Sequence, residues 1–198
     1  MSSDTRSGTL QWSSHYLVNP WEADGRLVDL SQYPRLAAYS MAHRAVLKQR
    51  NIAARNPHTW YRTIDRVLHG LLAQPKLYFP DMKLTIHPTL DHGKTYPHHN
   101  LYVLTSSAWD LEVLGGLLLS QVAQFFIECY CVRMRGGTLR FQAQYLRRIR
   151  VPAPTDVSRA DATELRAAFR TRDAHRATEV TLHVYGIDAV PDEEEYRS

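Results

Sequence analysis

The run Leu111–Tyr130, LEVLGGLLLSQVAQFFIECY, constrains this chain most. Leu111, Val113, Leu114, Leu117, Leu118, Leu119, Val122, Phe125, Phe126 and Ile127 fall on most of a helix circumference, not on one stripe. A helix apolar on several sides must be buried on several sides. The spacing therefore predicts a central helix over 111–130, capped by Ser107 or Asp110, with other elements packed around it. Gly115-Gly116 inside it lowers helix propensity by about 1 kcal/mol per residue and points to a neighbouring backbone that approaches closely. The run falls short of a membrane span, because Glu112, Ser120, Gln121, Gln124 and Glu128 interrupt it.

Around this helix the pattern alternates in kind. Residues 1–11 are polar and read as a disordered tail. Trp12–Val18 and Arg26–Leu30 read as two short strands joined by the turns Asn19-Pro20 and Asp24-Gly25. Tyr33-Pro34 opens a helix that Asn56-Pro57 closes. Thr59 caps a second helix with Trp60, Ile64, Val67, Leu68, Leu71 and Leu72 on its buried side. From Lys76 the segments KLYF, KLTIH (83–87) and LYVLT (101–105) read as strands. Thr138–Phe141 and Arg148–Val151 read as two more, on either side of Gln142–Arg147. A final helix spans 160–185 and ends at Gly186. The expected fold class is α+β: a small mixed or antiparallel sheet packed on a long buried helix, with N-terminal and C-terminal helices. One domain covers 12–186, made of N-terminal strands and helices (12–74), an α/β core (75–152) and a C-terminal helix (155–186). An acidic tail (187–198) follows.

Charge gives the first functional lead. No acidic residue lies between Glu128 and Asp156, yet Arg133, Arg135, Arg140, Arg147, Arg148 and Arg150 do. In a chain of net charge only +4 and pI near 9.1, this is a local anion site. Gln142 and Gln144 lie among the arginines. Arg and Gln suit phosphates and the base edges of DNA. The loop Tyr96–Asn100, with His98, His99 and Asn100, and the nearby Lys94 are further candidate DNA contacts. Arginine stems can also cover a protein surface and pair with the Glu193–Glu195 tail.

Other chemistries are weakly supported. Asp81, Asp91 and Lys94 suggest a Mg-dependent nuclease, but Asp91-His92-Gly93-Lys94 is one residue too long for the usual carboxylate–lysine spacing. His87, His92, His98 and His99 have no helical spacing and no accompanying thiolate, so no metal is expected. Cys129 and Cys131 lie two apart and read as buried free thiols of a cytoplasmic protein. No phosphate-binding glycine loop and no nucleophile elbow occur.

The blocks WYRTIDRV (60–67), PKLYFPDMK (75–83), YPHHNLYVLTS (96–106), LGGLLLSQVAQFFI (114–127) and MRGGTLRFQAQYLRRIRVP (134–152) resemble, by order and spacing, the C-terminal specificity domain of Eco57I/TaqI-like N6-adenine DNA methyltransferases. The resemblance runs from about Trp12 to Gly186. It implies a target-recognition module of a restriction-modification or phage-defence system. The expected partners are double-stranded DNA and a methyltransferase catalytic domain or subunit, with no membrane. It also implies what such a module lacks. The nearest approaches to an NPPY motif are Asn56-Pro57-His58-Thr59 and Asn19-Pro20-Trp21-Glu22. Neither has the second proline and the stacking aromatic. This chain is therefore expected to be no enzyme by itself and to bind no cofactor, with S-adenosylmethionine held by the partner methylase. A protein-interaction scaffold that docks a methylase or defence partner through helices 33–56 and 160–185 is the alternative.

Overall fold

The computed structural model describes residues 2–5 and 8–191. The Glu193–Glu195 tail lies outside them. Among the described residues the fold is α+β, with nine helices and two small antiparallel sheets. Its contacts separate two units: one holds Met1–Ser13 and Gln74–Ser198, the other Ser14–Ala73.

The larger unit is built on β1 (Lys76–Pro80), whose five residues are all buried. It is the middle strand of a three-stranded antiparallel sheet, between β3 (Thr89–Asp91) and β4 (Leu101–Leu104). Leu77 pairs with Leu90 on one side and with Leu104 on the other. Pro80 is tolerated because β3 pairs β1 only as far as Tyr78, so among the described residues no strand lies on the side where its missing N–H would point. A second, two-stranded ribbon pairs β2 (Met82–Lys83) with β5 (Leu139–Arg140). The expected strand over 83–87 is cut short after Lys83. Gln124 takes the place of a neighbouring strand there. Its Oε1 accepts the Ile86 N–H (2.8 Å), and its Nε2 donates to the Leu84 carbonyl (3.3 Å). Within the expected disordered tail, Ser2–Thr5 forms a 3-10 turn in which Asp4 and Thr5 are buried.

The central helix is two helices. α5 (Leu111–Leu119) buries every residue but Glu112, and α6 (Gln121–Tyr130) leaves it at 66°. Ser120 makes the break: its backbone is extended, its hydroxyl donates to the Leu117 carbonyl (2.6 Å), and it accepts the Ala123 N–H (3.3 Å) as the cap of α6. No single helix is long and apolar enough to cross a membrane among the described residues. The helix expected over 160–185 also divides, into α8 (Arg159–Thr171) and α9 (Ala174–Tyr185). Arg172 turns left-handed (φ 60°) and donates to the Pro88 carbonyl (2.7 Å), while Asp173 caps α9. Gly186 ends α9 with φ 66°, as expected.

The glycine pair in α5 is where α8 packs. A Cβ on Gly116 would lie 2.5 Å from the Leu165 carbonyl oxygen, and one on Gly115 would lie 2.5 Å from the Phe169 ring. Ion pairs from Arg166 to Asp110 (2.7 Å) and Arg170 to Glu112 (2.6 Å) flank this contact at the surface.

The smaller unit departs furthest from expectation. The two strands expected over 12–18 and 26–30 reduce to one bridge, Trp21 to Leu27, closed by Gly25 at φ 82°. Trp21 is buried, with its Nε1 donating to Thr63 (2.6 Å) and the Arg62 and Arg66 guanidiniums over its ring (5.2 and 5.8 Å). Because Thr63 and the Tyr61 hydroxyl, which donates to Val28 (2.7 Å), are committed to this hairpin, the helix expected from Thr59 does not form. Only Pro57–Thr59, a 3-10 turn, and α4 (His69–Ala73) are helical there. The helix expected from Pro34 forms in three pieces, α1 (Pro34–Ala42), α2 (Arg44–Lys48) and α3 (Asn51–Arg55), with breaks at His43 and at Gln49-Arg50.

Gly116→Ala tests the helix contact. Propensity alone favours alanine by about 1 kcal/mol, but the Leu165 backbone cannot yield as a side-chain tip would. A net loss of about 1–3 kcal/mol is expected in urea denaturation; unchanged or raised stability would show that α5 and α8 are not in this contact.

Candidate nucleic-acid interface

Residue Asp81, immediately after β1, assembles the site. Its N–H donates to the Asn100 carbonyl (3.0 Å), its carbonyl accepts the Phe141 N–H (2.7 Å), and its Oδ2 takes the Arg140 guanidinium (2.7 Å). The loop before β4 and the arginine-rich segment after α6 therefore meet at one backbone position. In the sequence Asp81 reads as a turn residue after the first strand, or as a nuclease carboxylate, and not as the residue that gathers these two segments. Its position directly after the most apolar strand was the available signal that it ends that strand and receives its neighbours.

The arginine-rich segment starts as a hairpin. Arg133 bridges to Leu139, and the Met134 N–H donates to the Thr138 carbonyl (2.8 Å). Gly136 and Gly137 have φ 89° and 81°, a turn that residues with a Cβ rarely adopt. This turn holds Arg135 exposed at its tip. Leu139 is buried, so it and its partners Lys83 and Arg133 share one face of the ribbon. Arg140 lies on the opposite face, beside Met82, which is 57% exposed. After the buried Phe141, Gln142 precedes α7 (Ala143–Leu146), and its Oε1 accepts from Gln144 Nε2 (3.0 Å). The strand expected over 148–151 is absent. The Arg148 and Ile149 N–H groups instead donate back to Tyr145 and Leu146, which continues the helical turn.

The expectation of arginines without a compensating carboxylate is therefore corrected for one of them, Arg140. Asp81 pairs with Arg140 and raises its pKa, chiefly through the side-chain hydrogen bond. Arg148 lies over the Tyr130 ring (4.9 Å). Arg135 and Arg147 are exposed.

His98 and His99 stack at 3.9 Å. Burial, and then the neighbouring His99, lowers the His98 pKa and favours its neutral ring. Asn100 is exposed beside Asp81. Lys94 is not brought there. Its N–H donates to Asp91 Oδ1 (3.0 Å), and Asp91 pairs with Lys76 at the far end of β1. Five residues of strand put the two ends about 16 Å apart.

That separation also removes the nuclease arrangement. Asp81 and Asp91 stand at opposite ends of β1, and each is already paired. Asp91 is buried against Lys76 Nζ (2.8 Å) and accepts from the N–H groups of Lys94 and Thr95 and the hydroxyls of Thr95 and Tyr78. Burial opposes its ionisation, but the bonds from Lys76, Lys94 and Thr95 outweigh burial and hold its pKa below 3.8. No group of three or more His, Cys, Asp or Glu is placed to hold a metal among the described residues. Cys131 is half-buried and donates to the Arg140 carbonyl (2.9 Å), with its pKa pushed up to about 11 by burial; Cys129 is exposed.

Asp91→Asn leaves Lys76 buried without its counter-charge and is expected to cost about 3–5 kcal/mol in urea denaturation. In the wild type the Asp91 contribution is present above the ordinary carboxylate value and is lost as pH falls through its lowered folded pKa. The variant should lack that part of the acid dependence; an identical acid limb in both proteins would contradict the pairing.

No protein-family model matches the chain. It is 45% identical over 185 residues to the Type II methyltransferase M.XhoI of Xanthomonas vasicola, covering 93% of this chain and 34% of that protein. It is 45% identical over 184 residues to M.PaeR7I of Pseudomonas aeruginosa (93% of this chain, 32% of that protein). It is 46% identical over 157 residues to M.BstVI of Geobacillus stearothermophilus (79% and 28%). The chain spans about a third of the length of these curated relatives. It is a homologue of one part of the Type II restriction-modification methyltransferases.

Proposed function

We propose that this chain is the DNA-recognition part of an adenine-N6 methyltransferase of a cytoplasmic restriction-modification or phage-defence system. The observation that carries the reading is the hairpin from Arg133 to Arg140, joined through Asp81 to the His98–Asn100 loop, in a stretch free of carboxylates from 129 to 155. Arg135 and Arg147 neutralise phosphates, with Arg133 and Arg148 at their flanks. Arg140 is held in one orientation by Asp81, as a residue that reads a guanine edge must be. Gln142 and Gln144 offer amides for adenine.

Catalysis belongs to the part of the methyltransferase outside this match. That part would bind S-adenosylmethionine and hold the flipped adenine. Trp21, in one of the two nearest approaches to an NPPY motif, is buried under two guanidiniums and unavailable for stacking.

The test is a salt series of duplex-DNA binding with wild type and an Arg135→Ala/Arg147→Ala double variant. Affinity should fall steeply with salt. The double variant's log–log slope should be shallower by about two, one per lost phosphate contact. Equal slopes would remove these arginines from the interface, and binding independent of salt would remove the DNA reading.

A further inference from the structure

Recognition of DNA by the larger unit leaves the smaller unit without a role. α1, α2 and α3 have nine, five and five residues, and they bury only Ser40 and Ala53. Helices this short are marginal in water and take their stability from a buried apolar face. Here Tyr39, Met41 and Val46 are instead 47%, 54% and 66% exposed. Tyr39 and Val46 lie on the apolar stripe of the sequence and Met41, two residues from Tyr39, lies off it; together these helices expose apolar side chains that expect a cover.

Charge decides what kind of cover. No acidic residue occurs from 30 to 64, but the basic residues are not all offered outward. The Arg44 guanidinium lies over the Trp60 ring (5.8 Å). Arg50 donates to the carbonyls of Leu47 (3.0 Å) and Trp60 (2.9 Å). Arg35, Lys48 and Arg55 are exposed beside the apolar side chains. A surface that spends two guanidiniums internally while exposing Tyr, Met and Val suits a protein surface, where aromatics, Met and Arg concentrate, better than a phosphate backbone. The relatives identify such a protein. About two thirds of their length lies outside the match.

We propose that α1–α3 dock onto the part of the methyltransferase that the relatives carry outside the matched third, against a face that is apolar with acidic groups at its edge. The proposal rests on the reading that this chain works with a methyltransferase. Docking would place the recognition hairpin at a set distance from the catalytic part, and so set which adenine near the read sequence is methylated.

Hydrogen exchange tests it. The free chain is compared with a chimera in which this chain replaces the matched third of M.XhoI. Slow exchange in α5 reports an intact fold in every sample. Amides of 34–55 should exchange fast in the free chain and roughly a hundredfold more slowly in the chimera. Tyr39→Glu/Val46→Glu in the chimera should abolish that difference without affecting α5. Equal protection in free chain and chimera overturns the proposal. So does protection of the free chain that appears with rising protein concentration or on adding duplex DNA, since the cover is then a second copy or DNA. Salt slopes of DNA binding on the same samples separate the two readings. Protection without DNA binding leaves the docking face standing and the recognition reading lost; DNA binding without protection does the reverse.

Discussion

The position of β1 is the constraint on which the larger unit depends. Its first residue, Lys76, has its ammonium buried against Asp91, a pairing that costs desolvation and is stable only because the remaining lone pairs of the carboxylate are taken up by Thr95, Lys94 and Tyr78. A half-satisfied version would be worse than an apolar one, so the pair admits one register of β3 on β1. At the other end, Asp81 receives β4's approach loop and the start of α7. The strand is thus pinned at both ends by a carboxylate with different work at each: one is buried and structural, the other half-buried and turned toward the surface. The His98–Asn100 loop and the arginine-rich segment hang from the second.

This arrangement changes how the arginine cluster should be counted. Six guanidiniums without a nearby acid in the chain look like six phosphate contacts. In three dimensions Asp81, 59 residues away in sequence, takes Arg140, and Tyr130 takes Arg148. What remains is a division of labour. Exposed cations at Arg135 and Arg147 supply charge, and Arg140, oriented by a carboxylate, supplies direction. Phosphate attraction tolerates loose side chains; discrimination between base edges does not.

The legible parts of the sequence were those where one local signal had no competitor. The glycine pair in an apolar run announced a close helix contact, and Leu165 and Phe169 supply it. KLYF and LYVLT are strands, Pro34 opens a helix, and Gly186 closes one. The failures share a cause. Ser120, Asp173 and His43 break helices whose apolar periodicity runs on unchanged, because a cap or a turn acts on one or two backbone groups and leaves the pattern intact. Gln124 stands in for a strand neighbour, and nothing in the residues 83–87 could announce it. The arginine-rich stretch 133–148 is visible in the sequence from charge alone. Its assembly is not, because it passes through backbone bonds of Asp81 and Asn100, and a backbone amide is the same in every residue.

The same reasoning explains why the smaller unit was the least legible. Its apolar periodicity predicted two long helices, and the chain forms short ones with exposed Tyr39, Met41 and Val46. Amphipathic spacing records that a face is to be buried, not where the covering atoms come from. For the larger unit the cover lies in the same chain, in α5, α8 and the sheet, so pattern and structure agree. For α1–α3 the pattern persists without a cover among the described residues. The mismatch between a helical stripe in the sequence and an exposed stripe in the structure is therefore itself a physical signal of an interface, independent of any resemblance.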